Sequence, residues 1–214
     1  MKTIAVTETP TSFLIPADDL RAAFQCVSNE QARYYLNGVF VTMTDFGVSL
    51  IGLDGHVMLV IEAPDAAFIG SECCTQEGGF ILKTDPADKA FKAKTVCDLW
   101  IYGDTETGIL QFVDYAPSAS DVYPRLGVCE FEQIDGTFPD WTYVVAKPIP
   151  SSTSAFVSFN PTMLTKMTKA ADVYEKGKPV RIMPTDGFES PYRVAFAACD
   201  RMSGMLMPYR WDKA

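Results

Sequence analysis

Histidine is almost missing from this chain: His56 is the single one in 214 residues. That scarcity excludes a helix bearing paired histidine ligands and forces any mechanism built on an imidazole base to use His56. Cysteine is present but wrongly spaced for metal. Cys26, Cys73, Cys74, Cys97, Cys129 and Cys199 lack the two-residue pairs of a structural zinc site, so they read as free thiols, with Cys73 and Cys74 in a Gly- and Glu-bearing loop. There is no Gly-rich lysine loop to cradle a phosphate. Adjacent Asp18 and Asp19 stand at an expected helix start, where the helix dipole accounts for them without a metal. The inventory points away from an enzyme and calls for no cofactor.

Long apolar runs are missing as well. The longest, Val57 to Ile61, falls far short of the ~20 residues that span a bilayer. The start turns polar at Thr7-Glu8-Thr9 before a signal-peptide stretch builds up. A cytoplasmic protein with no membrane partner is expected. Positive charge is the minority, 18 Lys and Arg against 27 Asp and Glu, for a net charge of -9. Indiscriminate wrapping of nucleic acid is therefore disfavoured, because phosphate binding rests on neutralisation by Lys and Arg. The lysines are clustered, at Lys83, Lys89, Lys92 and Lys94 and again at Lys166, Lys169, Lys176 and Lys178. An acidic chain with that distribution can still carry a basic face. With 48% apolar and 21% charged residues, the composition is that of a folded globular protein.

One pattern recurs three times: a short apolar strand, a helix opened by Pro or Asp, then strands. In unit A, Ser12 to Ile15 is a strand, and Pro16 with Asp18 and Asp19 opens a helix. Leu20, Ala23, Phe24 and Val27 share one face of it, leaving Arg21 outward. Strands follow at Tyr34 to Val41, Val48 to Leu53 and Val57 to Glu62, the last two joined by Asp54-Gly55, a hairpin signal. In unit B, Gly79 to Lys83 is a strand and Pro86 opens a helix over Ala87 to Thr95, with Lys89, Lys92 and Lys94 on its surface and Ala90 and Phe91 inward. Strands are expected at Cys97 to Tyr102, Ile109 to Val113 and Leu126 to Phe131. A Pro- and Ser-rich connector runs from Ala146 to Ala155. Unit C begins with Phe156 to Phe159, caps its helix with Asn160 and Pro161, and turns Met163, Leu164 and Met167 to the core, with Lys166 and Lys169 elsewhere on the helix. Its strands are Val180 to Met183, Tyr192 to Ala197 and Met202 to Met207.

Five ordered stretches add a family resemblance: Arg33-Tyr34-Tyr35-Leu36-Asn37-Gly38-Val39, Leu53-Asp54-Gly55-His56, Ile134-Asp135-Gly136-Thr137-Phe138-Pro139-Asp140-Trp141, Phe159-Asn160-Pro161 and Met207-Pro208-Tyr209-Arg210. Together they resemble the bacterial DNA sliding clamp, the β subunit of the replicative polymerase. The resemblance implies an α+β DNA-clamp fold of repeated strand-helix-strands units, with antiparallel sheets outside and short helices inside. It places residues 11–148 on the clamp's complete middle domain, makes 149–155 a connector, and places 156–214 on the second half of the last domain. Three units stand where the family ring holds twelve. Four copies would supply that number, and an unpaired unit C could meet its counterpart from another chain, so a homo-oligomer is expected. A sheet edge left open favours the same remedy.

The resemblance further implies a non-catalytic processivity factor that touches duplex DNA non-specifically and offers an apolar groove to polymerase and clamp-loader peptide motifs. The implied DNA contacts are Arg21, Lys89, Lys92, Lys94, Lys166 and Lys169. The implied groove residues are Leu53, Gly55, His56, Met58, Ala146, Asn160, Met163, Leu206, Met207, Pro208, Tyr209 and Arg210. Val57 and Tyr209 replace the family's usual Arg and Met, which implies a different partner preference. Plainer readings stand beside these. Asp54-Gly55-His56 and Asp135 to Pro139 are also ordinary turns, the latter anchored by Phe138, Met205 to Met207 are also a last core strand, and the lysines are also a solvated helix surface. A shortened clamp is also open to a second role, as a non-encircling decoy or regulator of host replication that keeps the groove and dispenses with the lysines.

Overall fold

The protein is described by a computed structural model, which covers residues 11–44, 47–63, 67–69, 79–85, 96–101, 107–113, 125–145, 157–185 and 190–209. Unit A consists of β1 (Thr11–Pro16), α1 (Ala17–Phe24), β2 (Val39–Thr44), β3 (Gly47–Leu53) and β4 (Val57–Ala63), with a short β5 (Ala67–Ile69) after it. Unit B contributes β6 (Phe80–Lys83), β7 (Val96–Ile101), β8 (Thr107–Val113) and β9 (Arg125–Ile134). Its expected helix lies outside the described residues. A four-residue helix α2 (Thr142–Val145) precedes unit C, which comprises α3 (Pro161–Tyr174), β10 (Val180–Met183), β11 (Tyr192–Phe196) and β12 (Met202–Leu206).

Among the described residues, all strand pairs are antiparallel, in one 12-stranded sheet of order β10-β11-β12-β4-β3-β2-β6-β9-β8-β7-β1-β5. This bears out the α+β clamp-type class read from the sequence. Unit C joins unit A edge to edge, as β12 runs along β4 from Met202↔Ile61 to Leu206↔Val57.

Strand alternation sorts side chains onto two faces. Leu50 of β3, Val57, Leu59 and Ile61 of β4, and Leu206 of β12 face the helices, where they pack with Leu20, Ala23, Met167 and Ala170. Ile51, Met58, Val60 and Met205 face the other way, beneath Phe40, Leu53, Phe138, Trp141, Val144 and Val145. Both faces of β4 are thus covered, which explains why it reads as an uninterrupted apolar run. Gly52 sits where α1 crosses β3, and a Cβ there would strike the carbonyl of Ala23. Only glycine lets the helix come that close.

One expected strand start is corrected. Tyr34–Leu36 form a 3-10 turn rather than the head of a strand. Ser28 N donates to Leu36 O (2.9 Å) and Asn37 Nδ2 donates to Glu30 O (3.2 Å), folding the segment back on itself before β2 begins at Val39. Among the described residues, no helix is long and apolar enough to cross a membrane.

Candidate peptide-binding margin at the junction of units A and C

The tight turn after β3 organises the site. Asp54 is buried, and its Oδ1 accepts from the N–H groups of His56 and Val57, both at 2.8 Å. This Asx geometry holds the turn, while Gly55 supplies the left-handed residue it needs, at φ 91°. The Arg33 guanidinium lies over Gly55 and is paired with Glu30 (2.8 Å). The turn thereby presents His56 outward, exposed to solvent.

The chain leaving β12 is fastened to that turn. Met207 N donates to His56 O at 2.8 Å, and two residues later Tyr209 N donates to Ser158 O at 2.7 Å. Met207 and Tyr209 stay exposed, at 37% and 56%, while Pro208 and Leu53 are half-buried. Leu53 packs on the outer apolar cluster, in which Met205 pairs across the sheet with Met58 and Phe138 stacks on Phe40 at 4.6 Å. Met58 and Met205 are buried in this cluster, whereas Met207 and Tyr209 are exposed and Leu53, Phe40, Phe138 and Trp141 half-buried, a set of apolar groups of the kind suited to a short peptide with apolar anchors.

The structure divides the residues expected in the groove. Leu53, Gly55, His56, Met207, Pro208 and Tyr209 lie along this margin, whereas Met58 is buried in the cluster of Ile51, Val60 and Met205. Leu206 and Met163 instead pack into the helix-side core, because alternation along β12 turns Leu206 away from Met205. Asn160 has a local duty, its Oδ1 accepting from Thr162 N (2.9 Å) to cap α3. Ala146 and Arg210 lie outside the described residues. Met205, Trp141 and Phe138 belong to the cluster but were not among the expected groove residues. Met205 lies opposite Met58 in register, a pairing that no local sequence signal reveals.

Of the expected DNA contacts, Lys89, Lys92 and Lys94 lie outside the described residues. Lys166 points inward, its Nζ donating to Asp54 Oδ2 (2.6 Å) and Val27 O (3.0 Å). Arg21 is half-buried and ion-paired with Asp18 one turn away, and burial lowers its pKa from the ordinary guanidinium value. Lys169 is exposed on α3, in a face otherwise made of Thr162, Thr165, Thr168 and Asp172.

A second buried polar knot ties the units together. Asp19, fully buried on α1, accepts from Arg201 through both oxygens (2.7 and 3.0 Å) and from the Tyr174 hydroxyl (2.6 Å). Arg201 also donates to Glu62 O (2.7 Å), and Glu62 N donates to Arg201 O (3.1 Å). The hydrogen bond to Asp19 pushes the Arg201 pKa up. Burial, then the Asp19 charge, pushes Tyr174 up. Cys26, buried in the same core, has its thiol pushed up to about 12 by burial. It is therefore a packing residue and not a nucleophile.

No protein-family model matches the chain, and no curated protein matches it in sequence. Among solved structures it is similar to the DNA polymerase III β subunit of Thermotoga maritima, at 14% identity and TM-score 0.58, over 99% of this chain and 69% of that one. It is likewise similar to a sliding clamp from Bartonella birtlesii bound to griselimycin, at 17% identity and TM-score 0.56, over 99% and 69% of the two chains. The Caulobacter crescentus β sliding clamp matches at 15% identity and TM-score 0.50, over 99% and 68%. Unit repeats, sheet topology and these neighbours together give the chain the fold of the bacterial sliding clamps.

Proposed function

We propose that this chain is a non-catalytic, sliding-clamp-like accessory factor of DNA replication in the cytoplasm, which presents the β4–β12 margin to short apolar peptide motifs of polymerases and loaders. In this reading residues 11–148 form a complete clamp-type domain, 149–155 a connector and 156–214 a half domain, with self-association completing the assembly. The observation that carries the proposal is the exposed Met207 and Tyr209, backbone-tied to His56 and Ser158 just after β12, whose Met205 belongs to a Met- and aromatic-bearing cluster. A labelled hexapeptide with leucine and phenylalanine anchors, titrated by fluorescence anisotropy, should bind saturably. Griselimycin, the ligand of the Bartonella clamp, should compete. Met207→Ala with Leu53→Ala should weaken binding about tenfold, the effect of losing ~1.4 kcal/mol of apolar contact. Unchanged affinity in that variant sinks the proposal.

A second reading, a non-encircling regulator that occupies clamp-binding motifs, is favoured by one observation: Lys166 is spent on Asp54 and Arg21 is paired with Asp18. That leaves Lys169 as the exposed cation on the described part of α3, so duplex contact in the first reading falls chiefly to Lys89, Lys92 and Lys94. Retention on closed circular DNA with release on linearisation supports encirclement. Peptide binding without DNA association supports the regulator.

A further inference from the structure

The complete domain shows how two units of this fold meet. First strand β1 of unit A lies between β5, which follows β4, and β7, the second strand of unit B, with Ser12 opposite Ile69 on one side and Trp100 on the other. Reciprocally, first strand β6 of unit B pairs with β2, the second strand of unit A, with Phe80 opposite Val41. Each unit lends its first strand to the other's second. Unit C has built its own half of this arrangement. Ser158, just before α3, bridges Tyr209, which follows β12, as β1 pairs with β5. Among the described strands, its second strand, β10, ends the sheet.

Both unmatched edges can be read in detail. Ala197 N donates to Pro179 O at 3.2 Å. By the alternation of an antiparallel ladder, Arg181 and Met183 therefore face β11, while Val180 and Ile182 turn their N–H and C=O groups to the open edge. Tyr209 N donates to Ser158 O, so Val157 and Phe159 turn theirs the other way, to the side that β7 occupies on β1. Burial tells the same story. Val39 and Val41 of β2, flanked by β6, are fully buried, whereas Val180 and Ile182 of β10 are only half-buried.

We infer that unit C is completed by unit C of a second copy of this chain, through reciprocal antiparallel pairing of residues 157–159 of each copy with β10 of the other. Phe159, Val180 and Ile182 pack toward the same core, and same-face residues sit opposite one another in paired strands. Phe159 therefore lies opposite the partner's Val180, and Val157 opposite the partner's Ile182. The exchange is self-complementary and closes as a twofold dimer. The four-residue β6 already pairs at three positions with β2, so a short segment suffices when the exchange is reciprocal. The inference gives a surface to the self-association proposed above and requires neither peptide nor DNA binding.

Light scattering on the full chain should give twice the 23.6 kDa chain mass, and amide exchange at Val157, Phe159, Val180 and Ile182 should be slowed, with the protection lost on dilution. Ile182→Pro or Val157→Pro removes an outward N–H without breaking an intrachain ladder bond, and should give a monomer whose circular dichroism matches the parent. If Ile182→Pro fails to fold, Val157→Pro, in a segment outside the sheet core, carries the same expectation. A single monomer mass from micromolar to near-millimolar concentration overturns the inference, and so does a dimer indifferent to both folded variants. Hexapeptide titration of the same samples separates the two proposals. A peptide-binding monomer defeats the dimer and the self-association it serves while leaving the peptide reading intact, and a dimer that ignores peptide defeats the peptide reading alone.

Discussion

Arg201→Met tests how unit C is held to unit A. The substitution leaves the Asp19 carboxylate fully buried, with the Tyr174 hydroxyl as its remaining side-chain donor. Removing one partner of a buried pair costs about 3–5 kcal/mol. The low end, about 3 kcal/mol, is expected because Tyr174 stays and because the Arg201 side chain is 29% exposed, so its own desolvation was incomplete. For a chain of this size that corresponds to a Tm lower by about 6–12 °C. The double variant Asp19→Leu/Arg201→Met, with no buried charge left, should recover most of the loss. Thermal melts of the parent and the two variants at pH 7 suffice. A loss under about 1 kcal/mol, or a double variant as unstable as Arg201→Met, refutes the reasoning.

Lys166→Met should destabilise by about 3 kcal/mol through the orphaned Asp54 while leaving DNA affinity and its salt slope unchanged, whereas Lys169→Ala flattens that slope if the α3 face meets duplex. Above pH 9, urea-monitored stability should fall by about 1.4 kcal/mol per pH unit for each group whose folded pKa is raised. Cys26 contributes between 9.0 and about 12 and Tyr174 above 10.0, so Cys26→Ala should flatten the lower part of that decline. Phe138→Ala should cost about 2 kcal/mol, below the range for a fully buried ring because Phe138 is half-buried, and should weaken hexapeptide binding by loosening the outer cluster. Gly52→Ala should destabilise by about 1–3 kcal/mol, because the methyl meets backbone and not a movable side chain.

The strand-helix-strands repeat was legible because its signals are local: short apolar runs in β3 and β4, Pro16 and Asn160 with Pro161 at helix starts, and Asp54-Gly55 at the turn. Partnerships across the chain were not. Asp19 read as a helix-dipole residue, yet its partners Tyr174 and Arg201 stand 155 and 182 positions away. Lys166 read as a surface lysine for phosphate because helical spacing does not reveal that Asp54 lies beneath it. Leu206 and Met207, adjacent in sequence, part company at the site because strand alternation assigns one to the core and lets the other leave the sheet. Phe138 was taken for a turn anchor, and its stacking on Phe40 depends on the long return of β9 across the sheet.

Backbone and methyl chemical-shift mapping of the chain titrated with the hexapeptide tests the central claim most directly. The account predicts saturable shifts at Leu53, His56, Met58, Met205, Met207 and Tyr209, with α1 and the exposed face of α3 unmoved. Shifts confined to α1 and α3, or none at saturating peptide, would contradict it.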